Sequence, residues 1–268
     1  MPLLSYAIEL ASKAGAVLME YFEGEFEVET KASAIDLVTS ADKAAEALII
    51  AGIRDRYPEH AILAEESGAV ADGEIRWIID PLDGTTNFAH SLPHFCVSIA
   101  LWDQKGGLVG VIHDPVRGET FFAHRGRGAF LESPRGPHRR LEVRNAADLG
   151  DTIVATGFSY HRATESDRSL REFTSLVPKV RGIRRAGSAA LDLAYVAAGR
   201  LDAYWERHLK PWDTAAGSVL VKESGGLVRT TEGGPWSPDN PSVVAAGPTL
   251  LPHLLGALRE ATPESASA

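Results

Sequence analysis

The stretch WIIDPLDGTTNF, residues 77–88, places two carboxylates, Asp80 and Asp83, three residues apart. Apolar Trp77, Ile78 and Ile79 run into Asp80, Pro81 ends the run, and Gly84, Thr85, Thr86 and Asn87 follow. Taken alone, D-x-x-D-G is also an ordinary turn, because Asp and Gly are common turn formers. Other carboxylates widen the reading. Glu65 and Glu66 in AILAEES close a second short apolar run, Asp213 in PWDTAAG opens a helical stretch, and Asp42 opens another after DLVTS. Carboxylates gathered in this way repel one another unless cations lie between them. Hard divalent ions such as Mg²⁺ take oxygen ligands and keep positions open for water and phosphate oxygens. The pattern therefore points to a metal platform at a strand end. Gly84 lets the backbone turn closely, and a helix beginning near Thr85 turns free N–H groups toward a phosphate.

Positioning such a platform takes a frame of strands and helices, and the periodicity supplies one. Leu3, Ala7, Leu10, Ala14, Val17, Leu18 and Tyr21 recur at helical spacing. FEVETK alternates like a short strand, and SADKAAEALIIAGIRDRYP reads as a helix with Ser40 at its N-cap and Pro58 just past its end. AILAEES and RWIID are short strands that finish in acid. From His94 to Glu132 the β-forming runs are broken at Lys105-Gly106-Gly107, Asp114-Pro115 and Arg125-Gly126, the pattern of a meander. SPRGPHRR, residues 133–140, reads as a surface loop and as the boundary between a metal-site lobe (about 1–140) and a substrate lobe (about 141–268). Beyond it come a strand TIVATGF, a helix from Glu165 to Leu176, a helix SAALDLAYVAAG, a strand LDAYWER and a helix TAAGSVLVKESG. Strands GLVRTT and SVVAAG, a helix LLPHLLGALREA and a frayed tail TPESASA complete the chain. Interleaved strands and helices give a mixed α/β class.

The formal net charge of −9 makes a poor phosphate-backbone binder and suits a site that holds cations. Cys96 is the sole cysteine, so no intrachain disulfide is possible and a reducing, cytoplasmic setting is expected. The N-terminus lacks the basic start and long apolar run of a signal peptide, and no apolar stretch reaches membrane-spanning length.

WIIDPLDGTTNF, with AEES upstream and WDTAAGSVLVKESGG downstream, resembles the inositol monophosphatase family. TKASAIDLVTSAD and RRAGSAALDLAYVAAGRLDAYWE extend the likeness over nearly the whole chain. The resemblance implies a layered α/β/α/β/α fold, a homodimer, and Mg²⁺-dependent, lithium-sensitive hydrolysis of a phosphate monoester. It implies that Glu65, Asp80 and the carbonyl of Leu82 hold one ion, that Asp80, Asp83 and Asp213 hold a second, and that Glu65 reaches a weaker third. Thr85 and Glu65 are expected to orient the attacking water, with Asp42 bonded to Thr85. Gly84, Thr85, Thr86 and Asp213 are expected around the phosphate.

The turn Gly187-Ser188-Ala189 is expected to meet the alcohol part of the substrate, against the alternative that Ser188 merely caps a helix. Glu206 matches the family glutamate that accepts ring hydroxyls of inositol. Glu66 is an outer partner or a solvated neighbour. Lys31 belongs to a loop that closes the metal site, or is an exposed lysine. Cys96 reads as core, and His90 and His94 as loop residues or outer partners of the site, since Pro93 argues against the helix a zinc pair needs. The substrate expected first is myo-inositol 1-phosphate. Fructose 1,6-bisphosphate, NADP and histidinol phosphate are alternatives, the bisphosphate because Arg181, Arg184 and Arg185 form a basic cluster that is otherwise a solvated patch. A further alternative is a regulatory protein that binds transcription machinery, with no direct nucleic-acid contact. It ranks lower because every metal carboxylate is present.

Overall fold

Leu10, Ala14 and Leu18, spaced to fall on one side of a helix, are buried along α1 (Pro2–Phe22). The computed structural model describes residues 2–22, 24, 27–30, 37–70, 73–158 and 168–261. After α1 come β1 (Val28–Thr30), β2 (Leu37–Thr39), α2 (Ser40–Arg56), β3 (Ala61–Ala64), β4 (Gly68–Val70), β5 (Arg76–Asp83) and α3 (Thr85–Ala89). The meander follows as β6 (Cys96–Asp103), β7 (Gly106–Asp114), β8 (Glu119–His124), β9 (Gly128–Ser133) and β10 (Gly136–Arg140). The second half contains β11 (Ile153–Thr156), α4 (Arg168–Leu176), β12 (Gly182–Arg184), α5 (Ala189–Ala197) and β13 (Ala203–Arg207). It ends with α6 (Pro211–Glu223), β14 (Leu227–Arg229), β15 (Ser242–Ala246) and α7 (Leu250–Glu260). Lys31, residues 165–167 and the tail 262–268 lie outside the described residues.

An eight-stranded sheet runs β10-β9-β8-β7-β6-β5-β3-β4, and a five-stranded sheet runs β12-β11-β13-β15-β14. Period-two alternation splits each central strand between two cores. Trp77 and Ile79 of β5, with Val97, Ile99 and Leu101 of β6, pack under α1 and α2. Ile78, Cys96 and Ala100 face the opposite way, onto α5 and α6. Tyr204 of β13 and Val243 and Ala245 of β15 meet the same two helices from the far side. Trp205, Val244 and Ala246 turn outward onto α7. The result is α/β/α/β/α layering, with α5 and α6 between the sheets. Gly110 of β7 lets α6 approach this closely, because a Cβ there would sit 2.4 Å from the carbonyl oxygen of Ala216.

Three local expectations change. The α2 N-cap is Thr39 rather than Ser40, because Thr39 and Asp42 form a reciprocal capping box that Ser40 cannot make. The segment expected as a loop at 133–140 instead ends in β10, which pairs with β9 through Arg139↔Leu131 and Arg140↔Phe130. Every residue of β10 is exposed, so it has no apolar alternation to betray it, and its basic residues suit an uncovered sheet edge. Finally, Pro81 does not end β5. The strand continues to Asp83 through an irregularity that shapes the site.

Candidate active site

Residues three apart on a regular strand point to opposite faces. Asp80 and Asp83 escape that rule. Asp80 pairs with Ser98 and Asp83 with Cys96, so three steps along β5 match two along β6. The extra residue is a β-bulge at Pro81-Leu82, where proline has no N–H to give the ladder. Ser98 and Cys96 share a face of β6, and the bulge therefore turns both aspartates to that face. Leu82 is sent the other way, into the core beneath α1 and α2. Its carbonyl oxygen accepts a bond from Thr85 Oγ1 at 3.1 Å.

Gly84 ends the strand at φ 101°, where a Cβ would lie 3.0 Å from the His94 carbonyl oxygen. That turn starts α3 at Thr85, where the sequence places a helix start. Thr85 Oγ1 lies 3.3 Å from Asp42 Oδ1. Asp42 is fully buried in the first turn of α2, and its Oδ2 accepts Thr39 N at 2.8 Å and Thr39 Oγ1 at 2.5 Å. Thr86 sits beside Thr85 in the same first turn of α3.

Glu65 follows the last residue of β3, and its N–H donates to the Ile79 carbonyl at 3.2 Å, which sets it alongside β5. Asp213 lies in the first turn of α6, and its Oδ2 accepts Lys210 N at 2.7 Å. Burial raises the Asp80 carboxyl well above its ordinary range, and the charges of Glu65, Asp83 and Asp213 push it further. Burial first, then Asp83, Glu65 and Glu206, raise Asp213 in the same way, against its bond from Lys210 N. Asp83 is raised by burial, opposed by the donors around it. Among the described residues, Asp80, Asp83 and Asp213 have no basic side chain in ion-pair contact, and no three potential ligands are drawn together tightly enough to enclose an ion. The donor set still fits a hard divalent cation: all oxygen, mutually repelling, lacking positive charge, with Asp80 buried and Glu65, Asp83 and Asp213 half-buried.

The second half of the chain reaches this cluster through α5. Asp83 Oδ2 accepts Ser188 Oγ at 2.6 Å and Ala190 N at 2.7 Å, and Cys96 Sγ lies 3.9 Å away. Ser188 also caps α5, accepting Leu191 N at 3.3 Å. Its hydroxyl is thus committed to the helix and to Asp83. Gly187, at φ 90°, and Ala189 flank it, both half-buried, and the Ala189 backbone also bonds to Asp83. Asn87 Nδ2 joins the two halves, donating to His94 O at 2.8 Å and Ala186 O at 2.9 Å.

Glu206 of β13 is half-buried, accepts Tyr204 OH at 2.6 Å, and is pushed up to about 7 chiefly by desolvation. Gly157 leaves it room, since a Cβ there would fall 2.0 Å from Glu206 Oε2. Burial likewise pushes the Cys96 thiol well up, so it stays a neutral core group. His90 is exposed at the end of α3, and Ser91 at φ 56° breaks the chain before His94, which excludes a helical zinc pair. In the basic cluster Arg181 pairs with Asp151, while Arg185 lies against Gly187 and lowers Glu206. Sequence reasoning passed over Thr39 and Asn87. Thr39 was legible as the first member of a T-x-x-D capping box, and Asn87 stood within the acidic motif itself.

The model of the inositol monophosphatase family matches residues 1–263. The chain belongs to the inositol monophosphatase family. It is 44% identical over 261 residues to "Nus factor SuhB" of Pasteurella multocida, covering 96% of each chain. It is also 44% identical over 263 residues to "Inositol-1-monophosphatase" of Synechocystis, covering 97% of this chain and 90% of that one. The crystal structure of extragenic suppressor protein suhB from Bartonella henselae superposes with a TM-score of 0.91 at 39% identity, over 97% of this chain and 99% of that one. Family membership thus covers both halves of the site and both large sheets. No helix among the described residues is long and apolar enough to cross a membrane.

Proposed function

We propose that the protein is a Mg²⁺-dependent phosphomonoesterase whose preferred substrate is myo-inositol 1-phosphate. The observation that supports this best is the β5 bulge, which turns Asp80 and Asp83 to one face beside Glu65 and Asp213. Glu65, Asp80 and the Leu82 carbonyl would hold one ion, Asp80, Asp83 and Asp213 a second, with Glu65 reaching a weaker third. When bound, such ions lower the pKa of water and stabilise charge on the attacking and leaving oxygens. Asp42, held by Thr39, would take the one Thr85 hydroxyl proton, which Thr85 here shares between Asp42 Oδ1 and the Leu82 carbonyl, and so leave a Thr85 lone pair for the water. Glu65 orients the same water. The first N–H groups of α3, at Thr85 and Thr86, have no partner within the helix and face phosphate oxygens. The alcohol part of the substrate lies against the backbone of Gly187, Ser188 and Ala189 and under Glu206. The family likeness also leads us to expect a cytoplasmic homodimer.

A carboxylate accepts polyol hydroxyls, and each such bond is worth about 1.5–3 kcal/mol. Glu206→Gln should therefore lower kcat/KM for myo-inositol 1-phosphate about tenfold or more, and leave an aryl phosphate nearly unaffected. Because burial pushes Glu206 up to about 7, it is a charged, strong acceptor above that value and a neutral acid, a weaker acceptor, below it. The polyol-to-aryl ratio of kcat/KM should rise with pH through this range in the wild type and stay flat in the variant. A cation beside Asp83 offsets one charge that raises Glu206 and moves the rise to lower pH. Equal losses on both substrates would assign Glu206 a structural role.

A second reading rests on the name carried by the Pasteurella relative, a Nus factor. In that case the fold serves a protein assembly in transcription. Affinity capture from cells, run beside a phosphate-release assay on the same preparation, separates the two.

A further inference from the structure

Glu46 lies one helical turn after Asp42 on α2, and the two carboxylates share a face. It is 4% exposed. Its Oε2 accepts Glu66 N at 2.9 Å and its Oε1 accepts Ser67 N at 2.9 Å. These amides belong to the turn that carries Glu65. That turn is short: Ala64 pairs with Gly68 across it, and Gly68 closes it at φ 75°. Glu65 is fixed on its N-terminal side by the bond to Ile79 O. On its C-terminal side the two amides after it are both held by Glu46. One helix therefore grips both parts of the site, Thr85 through Asp42 and the Glu65 turn through Glu46.

We propose that Glu46 is a positioning residue that aims Glu65 by clamping its turn, and thereby sets the divalent-ion affinity of the site. The inference rests on the metal-dependent reading of that site. A carboxylate suits the task because it presents two acceptor oxygens to two adjacent donors, as an amide cannot. In Glu46→Gln one oxygen still accepts an N–H, while the NH₂ group faces the other N–H donor to donor. The side chain keeps its volume, so the helix packing is retained. Glu46→Ala removes both acceptors.

The test uses the full-length protein stripped with EDTA, titrated with Mn²⁺ while free Mn²⁺ is read by electron paramagnetic resonance. The melting temperature is measured alongside without metal. Loss of an outer partner of a metal ligand typically costs about 10–100-fold in metal affinity. Glu46→Gln is expected to weaken Mn²⁺ binding about tenfold and Glu46→Ala further, with kcat at saturating Mg²⁺ within about threefold of wild type. Hydrogen exchange at Glu66 and Ser67 should quicken in both. Unchanged Mn²⁺ affinity in both variants, with only the melting temperature lowered, would overturn the positioning role and leave the metal reading intact. A wild-type protein that binds no Mn²⁺ would overturn both.

Discussion

Asp83→Asn is expected to lower Mg²⁺-dependent phosphate release by about a thousandfold, at the upper end of what one preorganised charged group is worth in a water-excluded site. The local bonding explains why this substitution separates chemistry from fold. The asparagine oxygen can keep the two close donors that now reach Asp83 Oδ2, Ser188 Oγ and Ala190 N. Its NH₂ group then replaces the oxygen left for a cation. Burial raises the Asp83 carboxyl, so ionising it in the metal-free protein costs stability. A raised carboxyl stabilises the fold in acid, where it is protonated, and loses that contribution as pH rises through the folded value. The neutral asparagine carries no such loss, and its relative advantage grows with pH. The EDTA-treated variant should therefore melt within about 5 °C of wild type at neutral pH, a shift of roughly 1–2 kcal/mol for a chain of this size. Turnover near the wild-type rate at saturating Mg²⁺ would remove Asp83 from the ligand set.

Thr85→Val is expected to cut kcat about a hundredfold while leaving Mn²⁺ affinity within about threefold, because general acid–base assistance contributes about 10²–10⁴ and the hydroxyl is not a metal ligand. Valine keeps the buried shape but ends the contacts to Asp42 Oδ1 and Leu82 O. Asp42 remains bonded to Thr39 and is not stranded. Asp42→Asn should reproduce part of the loss, since an amide is a weaker acceptor for the Thr85 proton. A Thr85→Val enzyme with normal kcat but a raised requirement for Mg²⁺ would instead make the threonine a support for the Leu82 carbonyl.

The chemistry of this site was more legible than its geometry. Carboxylates at the ends of apolar runs announce a cation site by charge alone, and the helix start at Thr85 follows from Gly84. The strand bulge was not readable in advance. Pro81 looks like a stop, and only the pairing of β5 with β6 shows that the ladder resumes one residue out of step. Ser188 was ambiguous because its two bonds lead to Leu191 in its own helix and to Asp83, far off in sequence. Glu46 was invisible for a related reason. Its acceptors serve backbone amides about twenty residues away, and an acid on a helix surface gives no sign of that. The residues themselves gave only a mixed α/β class, and the layer order came from the family resemblance. Two edge strands were not foreseen: β10, every residue of which is exposed, and β12, three residues long with only Ile183 packed on a core.

The most direct measurement is release of inorganic phosphate from myo-inositol 1-phosphate by EDTA-stripped protein as Mg²⁺ is added back. The account predicts no turnover without metal and a rise to full rate as Mg²⁺ fills the carboxylate cluster, with Asp83→Asn inactive throughout. Phosphate release that persists in EDTA, or is equal in wild type and Asp83→Asn at every Mg²⁺ concentration, would contradict it.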